Sequence, residues 1–376
     1  MTTLQRAGDV KVPNKTATAP PRAAIVMSVW LRRFLLRLAD RLMPAHLSLL
    51  EHAHGFAKAH ILSAMAELGV ADELCDGPRS AEQLAATLGC STDALHRLLR
   101  AAAVFGAVRL DGDGSFRATR FTRVLRSADP SGAAQWCRFI GSAPQQAAWT
   151  CLAAAVRTGD SAFLKANGST MFGWFDAHPD EAANFGTGIG GLTLAEAPAI
   201  IAAYDFPDDG TICDVGGGQG VLLAQILKAR PRLRGVVVDS AQVLERASTY
   251  VTTQGLSDRI ALVPGDLREP VAVRADIYLL KWILHDWDDS FCRQIVEAVA
   301  AAMPTDARLL LVEGKQPLNE VDPRFSMIDL QMFVVTDGGR ERSIGQLRDI
   351  VAAGGLVPGK SFRTSTGLVL LEASKA

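Results

Sequence analysis

The sequence predicts an α/β protein, in which a doubly wound parallel sheet follows a smaller, mainly helical domain. Two observations carry that expectation and a third locates a ligand. Short runs rich in Val, Ile and Leu, at Leu233–Val238, Arg259–Pro264 and Ala275–Leu280, are each followed by a helical stretch, the pattern of buried parallel strands. Residues 45–130 read instead as helices followed by a hairpin. Residues 211–220, Thr-Ile-Cys-Asp-Val-Gly-Gly-Gly-Gln-Gly, run a strand into a glycine turn that opens a helix. Such a turn lets a ligand lie directly on the main chain at the carboxyl edge of a parallel sheet.

From the amino end, residues 1–24 are rich in Thr, Ala, Pro and Lys and read as a disordered leader, with Met27 a second candidate for the start. Ile25 to Met43 mixes Trp30, Leu31, Phe34, Leu35, Leu38 and Leu42 with Arg32, Arg33, Arg37 and Arg41, a basic amphipathic helix. A membrane surface would take such a helix, but an arm packing on a partner subunit is the favoured reading. No small-residue cleavage site follows it, which argues against a signal peptide. The arm and the domain after it occupy residues 25–130. Ser80-x-x-Gln83 is a capping box for a helix Ala81–Leu88 that stops at Gly89. A second helix, from about Thr92 to Phe105, buries Leu95, Leu98, Leu99 and Ala102. Val108 to Phe116 is a strand, a glycine-rich turn and a strand.

Helices followed by a β-wing make a winged helix, so a DNA-binding regulator is a rival reading. Charge opposes it. Residues 45–130 carry nine Lys and Arg against ten Asp and Glu, and the wing tip holds Asp111 and Asp113. A DNA-binding face needs a positive excess to displace counterions from phosphate. No nucleic acid partner is expected.

Residues 131–193 form a helical, aromatic linker with Trp136, Phe139, Trp149, Phe163, Phe172, Trp174, Phe175 and Phe185. The last unit, residues 194–376, holds the sheet. Its glycines follow Gly216-x-Gly218-x-Gly220 after Asp214, with Val221 where a dinucleotide fingerprint would need its third glycine. That form suits S-adenosylmethionine (SAM), which has no pyrophosphate to place. Asp239 ends one strand, where a carboxylate can accept from both ribose hydroxyls. Asp266 ends the next, placed for the adenine amine, with Leu267 for the face of the ring. Ser343-x-x-Gln346 is another capping box, and strands at about 361–365 and 367–373 would add an antiparallel edge.

Residues 278–289, Tyr-Leu-Leu-Lys-Trp-Ile-Leu-His-Asp-Trp-Asp-Asp, closely resemble a motif of the SAM-dependent small-molecule O-methyltransferases. These are the plant phenylpropanoid and bacterial natural-product enzymes related to caffeate O-methyltransferase. The likeness runs from about residue 50 to the end. It includes the glycine turn, Gly265-Asp266, Glu313, Met327 to Met332, Gly338-Gly-Arg-Glu-Arg342 and Ala353-Gly-Gly-Leu356. It implies a Rossmann-like SAM methyltransferase sheet with an antiparallel edge strand, and a winged-helix domain that makes a homodimer and closes over the substrate. By the same likeness His285 is the general base, flanked by Glu313 and Glu341. Gly216, Gly218, Asp239, Asp266, Leu267 and Lys281 hold SAM, and Thr193 lies near its carboxylate. Phe175, Phe185, Gln331 and Met332 line a cavity for a small aromatic acceptor. Two positions depart from the family: Ser240-Ala241 replaces the usual Leu-Pro, and Leu267 the usual Phe or Met. Neither removes a charged or hydrogen-bonding group.

The reading is therefore O-methylation of a small aromatic or polyketide-like hydroxyl, yielding S-adenosylhomocysteine. Carbon or nitrogen methylation, or decarboxylation or hydroxylation on a SAM-binding frame, are the alternatives. A phenol ionising near ~10 is a poor nucleophile until its proton is taken, and a histidine near ~6.5 is the usual base. His285 is the only histidine after His178. Trp287 is placed to stack near adenine or to be a buried structural residue. The six cysteines form no Cys-x-x-Cys pair, so no metal is expected, and their scatter fits a reducing cytoplasm. A net charge of -1 gives no general attraction to polyanions. No run of about 18 apolar residues predicts a membrane span.

Overall fold

The computed structural model describes residues 22–316 and 321–376. The expected leader lies, up to residue 21, outside the described residues. The arm is a helix, Arg22–Arg41, slightly ahead of its expected start. Trp30 is 59% and Phe34 50% exposed among the described residues, and the two rings stack at 5.7 Å.

The first domain forms as its local signals dictate. Helix Ala81–Leu88 starts at a complete Ser80–Gln83 capping box and ends on left-handed Gly89. Helix Thr92–Val104 buries Leu95, Leu99 and Ala102, while Leu98 is only half-buried. Strands β1 (Val108–Leu110) and β2 (Phe116–Ala118) pair antiparallel as the wing. At its tip Asp111 accepts from both Arg109 and Arg117 at 2.8 Å, so the wing's guanidiniums are already neutralised.

The aromatic linker is a run of helices separated by turns at residues 159–161, 168–170 and 178, and the last helix continues past residue 193. One 25-residue helix, Pro179–Ala203, runs through that expected boundary. It is also long and apolar enough to cross a membrane by length and composition, with a mean hydropathy of 1.3 over its best window. Asp180, Glu181 and Glu196 keep it from being an unbroken apolar run. The apolar surface is used for packing. A Cβ on Gly188 would stand 3.0 Å from the Trp136 ring, and one on Gly191 would stand 1.8 Å from the Ser131 carbonyl oxygen. Helix Ala133–Gly141 is therefore pressed onto it backbone to backbone.

The second domain is a seven-stranded sheet. Strands β3 (Asp209–Val215), β4 (Arg232–Asp239), β5 (Ile260–Pro264), β6 (Ile277–Lys281) and β7 (Arg308–Glu313) are parallel. Strands β8 (Val357–Arg363) and β9 (Val369–Ser374) are the antiparallel edge, in the order β5-β4-β3-β6-β7-β9-β8. Strand β8 starts earlier than expected because the chain leaves helix Ile344–Ala353 at Gly354-Gly355 and pairs at once, with a bulge between Pro358 and Ser361. Both faces are covered. Ile212, Val237 and Leu279 meet helices Val221–Ala229 and Ala241–Thr253, and Cys213, Tyr278 and Leu280 meet helix Asp289–Ala302. The order reverses between β3 and β6, and there the carboxyl ends of β3, β4, β6 and β7 open a crevice.

Candidate active site

At the end of β3, Gly216, Gly218 and Gly220 take φ values of 69°, 57° and 74°. A Cβ at Gly216 would lie 2.5 Å from Ile283 Cδ1 and 3.5 Å from Leu267 Cδ2, whereas one at Gly218 would meet nothing within 4 Å. The turn is closed beneath Gly216 and open above Gly218. Asp239, at the end of β4, anchors it by accepting from Gly218 N–H at 2.9 Å and Ser240 N–H at 2.8 Å. Burial pushes the Asp239 carboxyl up, and pushes Asp214 up to about 7 against the pull of Lys281. A crevice with open backbone and two desolvated acids fits a cationic ligand that bears a diol. Asp266 is different. Arg268 grips its carboxylate through the side chain and donates from its backbone N–H at 2.8 Å, and the guanidinium holds the acid down to about 2. It would meet an adenine amine as an acid already ion-paired with its neighbour.

The chain leaves β6 through Lys281 and Trp282, whose φ of 56° is the one positive value at a non-glycine among the described residues. A left-handed tryptophan costs about 1–3 kcal/mol and persists only where its surroundings impose it. The next turn, Leu284–Asp286, carries His285. His285 Nδ1 lies 2.8 Å from Glu341 Oε1, and Nε2 lies 3.5 Å from Asp286 Oδ1. Burial alone would lower its pKa, but Asp286, Glu341 and Glu313 outweigh it and carry the imidazole up to about 9. Burial pushes Glu313 up to about 7 and Asp286 up to about 6, in both cases against the pull of His285.

The two glutamates do different work. Glu341 bonds the ring. Glu313 is expected beside the ring as well, but its Oε1 accepts backbone N–H groups of Ile283 at 3.2 Å and Leu284 at 2.9 Å, so it holds the loop. A second oxygen on each, Oε2, is buried without a partner among the described residues. Gly314 makes room for Glu341, since a Cβ there would lie 2.0 Å from its Oε2.

Three contributors were hidden within motifs read for other residues. Asp286 faces the imidazole, while the cap of the next helix is Asp288, which accepts from Phe291 N–H at 2.8 Å. Arg342 donates to the carbonyls of Leu284 and Trp287 at 2.5 and 2.7 Å and to Asp289, clamping the turn from behind. Trp282 sets its ring 4.6 Å from that of His285. The motif spacing signals the first two; nothing in a sequence signals a positive φ at tryptophan.

Phe175 and Phe185 stack at 5.1 Å and meet Phe139, so both are part of a buried aromatic cluster against which Met332 packs. Gln331 accepts from Trp149 Nε1–H and donates to Gln145 Oε1, each at 3.1 Å. Thr193 accepts from Lys281 Nζ at 2.8 Å. Trp287 stacks between Phe172 (5.3 Å) and Phe291 (4.2 Å), and a cleft of about 230 Å³ beside this ladder reaches Asp286. Helix Pro323–Val335 carries Gln331 and Met332, and its Asp329 accepts from Glu341 N–H at 2.8 Å. Gln331 and Met332 thus share one helix with the residue that holds the Glu341 backbone.

Two family models match the chain: the O-methyltransferase domain over residues 149–357 and the O-methyltransferase dimerisation domain over residues 50–127. A phenazine O-methyltransferase of Lysobacter antibioticus is 34% identical over 332 residues, covering 88% of this chain and 96% of that protein. An 8-amino-8-demethylriboflavin N,N-dimethyltransferase of Streptomyces davaonensis is 30% identical over 301 residues, covering 79% and 86%. Among solved structures, an O-methyltransferase from neocarzinostatin biosynthesis, in complex with S-adenosyl-L-homocysteine and 1,4-dihydroxy-2-naphthoic acid, aligns with a TM-score of 0.73. Identity is 29%, over 85% of this chain and 96% of that one.

Proposed function

This chain belongs to the plant-type SAM-dependent O-methyltransferase family and is a SAM-dependent methyltransferase of natural-product type, and from that premise we propose that it methylates a hydroxyl of a small aromatic or polyketide-like acceptor with His285 as general base. The observation that carries this reading is the imidazole held by Glu341 at 2.8 Å, two residues after the Ile283 that closes the glycine turn.

Gly216, Gly218, Asp239, Asp266, Leu267, Lys281 and Thr193 are the residues that would hold SAM. When bound, it supplies a methyl group on a sulfonium whose leaving group is neutral. With Nδ1 committed to Glu341, Nε2 of His285 is the atom that takes the acceptor's proton. A phenol near ~10 loses its proton to an ordinary imidazole with a penalty of about 5 kcal/mol. Raising the base to about 9 leaves little of that penalty, at the expense of a smaller neutral fraction at pH 7. Glu313 and Arg342 keep the loop from relaxing away. Phe175, Phe185, Gln331 and Met332 supply a flat, largely apolar wall, in which the Gln331 amide is tied to Trp149 and Gln145.

The dimerisation domain and the uncovered arm support a homodimer, and six free cysteines support a reducing, cytoplasmic setting. The riboflavin-type N,N-dimethyltransferase among the relatives supports nitrogen methylation as a second reading. A neutral amine has less need of a base than a phenol. A panel of phenols, flavonoids, naphthoates, quinones and aryl amines with labelled SAM identifies the acceptor. On a hydroxyl acceptor His285→Ala should lower turnover by about 10²–10⁴ with SAM affinity nearly unchanged. Full activity in that variant would remove the base from the mechanism.

A further inference from the structure

Glu196, 2% exposed on helix Pro179–Ala203, has no part in the proton transfer, yet three side chains meet on its carboxylate. Its Oε2 accepts from Trp282 Nε1–H at 3.2 Å and lies 3.1 Å from Lys281 Nζ. Its Oε1 is bonded by the guanidinium of Arg324, in the first turn of helix Pro323–Val335. Arg324 in turn donates to the Thr366 carbonyl at 3.1 Å, in the turn between β8 and β9. A buried carboxylate needs cations and donors on both oxygens, and this one has them.

The two cations account for the charge. The third contact, a neutral indole N–H, does not. That indole belongs to Trp282, the left-handed residue whose ring lies 4.6 Å from the His285 ring. Its backbone N–H donates to the Val312 carbonyl at 3.0 Å, so the main chain is fixed on the β7 side and the side chain on the Glu196 side. Glu313 and Arg342 hold the residues that follow, but the bond to Glu196 is the one that holds the Trp282 side chain itself, against the ring of His285.

We propose that Glu196 is a positioning residue: by holding the Trp282 indole it fixes the left-handed turn after β6 and, through it, the ring of His285. The catalytic consequence rests on His285 being the base, but the positioning can be read without turnover. The test uses the full chain labelled in its histidine rings, with the His285 resonances assigned by their loss in H285A. W282F removes the N–H and leaves every charge in place. E196L removes the acceptor and the charge. E196Q keeps an oxygen for the indole while losing the charge.

W282F and E196L should both lower the titration midpoint of the His285 ring, a readout separate from the ring-current shift that replacing the indole causes by itself, and E196Q should leave the midpoint close to the wild type. Where E196L fails to fold, W282F and E196Q still decide. If W282F leaves the midpoint in place, or E196Q moves it as far as W282F, Glu196 serves only to neutralise Lys281 and Arg324 and the proposal is overturned. Turnover of H285A is a separate measurement. Its survival would overturn the base while leaving the imidazole midpoint to judge the positioning.

Discussion

A base is useful only in its neutral form, and the three carboxylates around His285 favour the charged one. With the imidazole carried up to about 9, its neutral fraction falls roughly tenfold for each unit of pH below that value. The expected profile of kcat/KM for a hydroxyl acceptor therefore rises through neutrality and levels off near 9, rather than near the ~6.5 of an ordinary histidine. Rates measured between about pH 6 and about pH 10 check this, and a plateau already reached at neutrality would contradict the carboxylate grip. At the glycine turn, Gly216→Val would push a side chain into Ile283 and force a β-branched residue to a φ of 69°. Asp239→Ala would strip Gly218 N–H of its acceptor. Calorimetric titration should find SAM binding lost in both folded variants, and retained affinity in both would dismiss this crevice as the cofactor site. Of these residues, His285, Glu341 and the glycines were legible because they sit at fixed offsets in a motif. The division of labour between Glu341 and Glu313 was not, since it depends on which way each carboxylate turns after the chain has folded.

Elements defined by local chemistry were equally legible. Both Ser-x-x-Gln capping boxes start their helices where the spacing puts them, because the cap satisfies backbone groups within one turn. Helix Pro179–Ala203 is the opposite case. It contains Pro198 and the glycines Gly186, Gly188, Gly190 and Gly191, which by propensity alone argue for a break. Contact with helix Ala133–Gly141 overrides that preference, and the helix runs on through residue 193. Gly191→Ala tests the balance. Helix propensity would reward the change by about 1 kcal/mol. A Cβ only 1.8 Å from the Ser131 carbonyl oxygen, with backbone rather than a flexible side chain opposing it, brings an overpacking penalty of about 1–3 kcal/mol. The penalty should win, and the urea midpoint should fall. An unchanged or raised midpoint would mean that the close packing contributes nothing.

On the scale of the whole molecule, the arm Arg22–Arg41 exposes more apolar surface than a chain acting alone has use for. Phe34→Glu places a charge at the centre of that stripe, beside the ring of Trp30. Light scattering should report the mass of two chains for the wild type and of one for the variant at micromolar concentration; a single-chain mass for both would remove the arm from any interface. The two-domain plan was readable from periodicity, but the tie between the domains was not, because it consists of a helix whose ends belong to different halves. At 1.5 Å per residue its 25 residues span about 37 Å, from the aromatic wall near Phe185 to the sheet beyond Glu196. Such a helix acts as a lever. A tilt of about 5° at the sheet end carries the far end through about 3 Å, roughly the thickness of an aromatic ring. Phe185, in the acceptor wall proposed above, therefore rides on the same shaft that touches Lys281 and Trp282, and a flat molecule wedged against it would be felt at the other end as a change of angle.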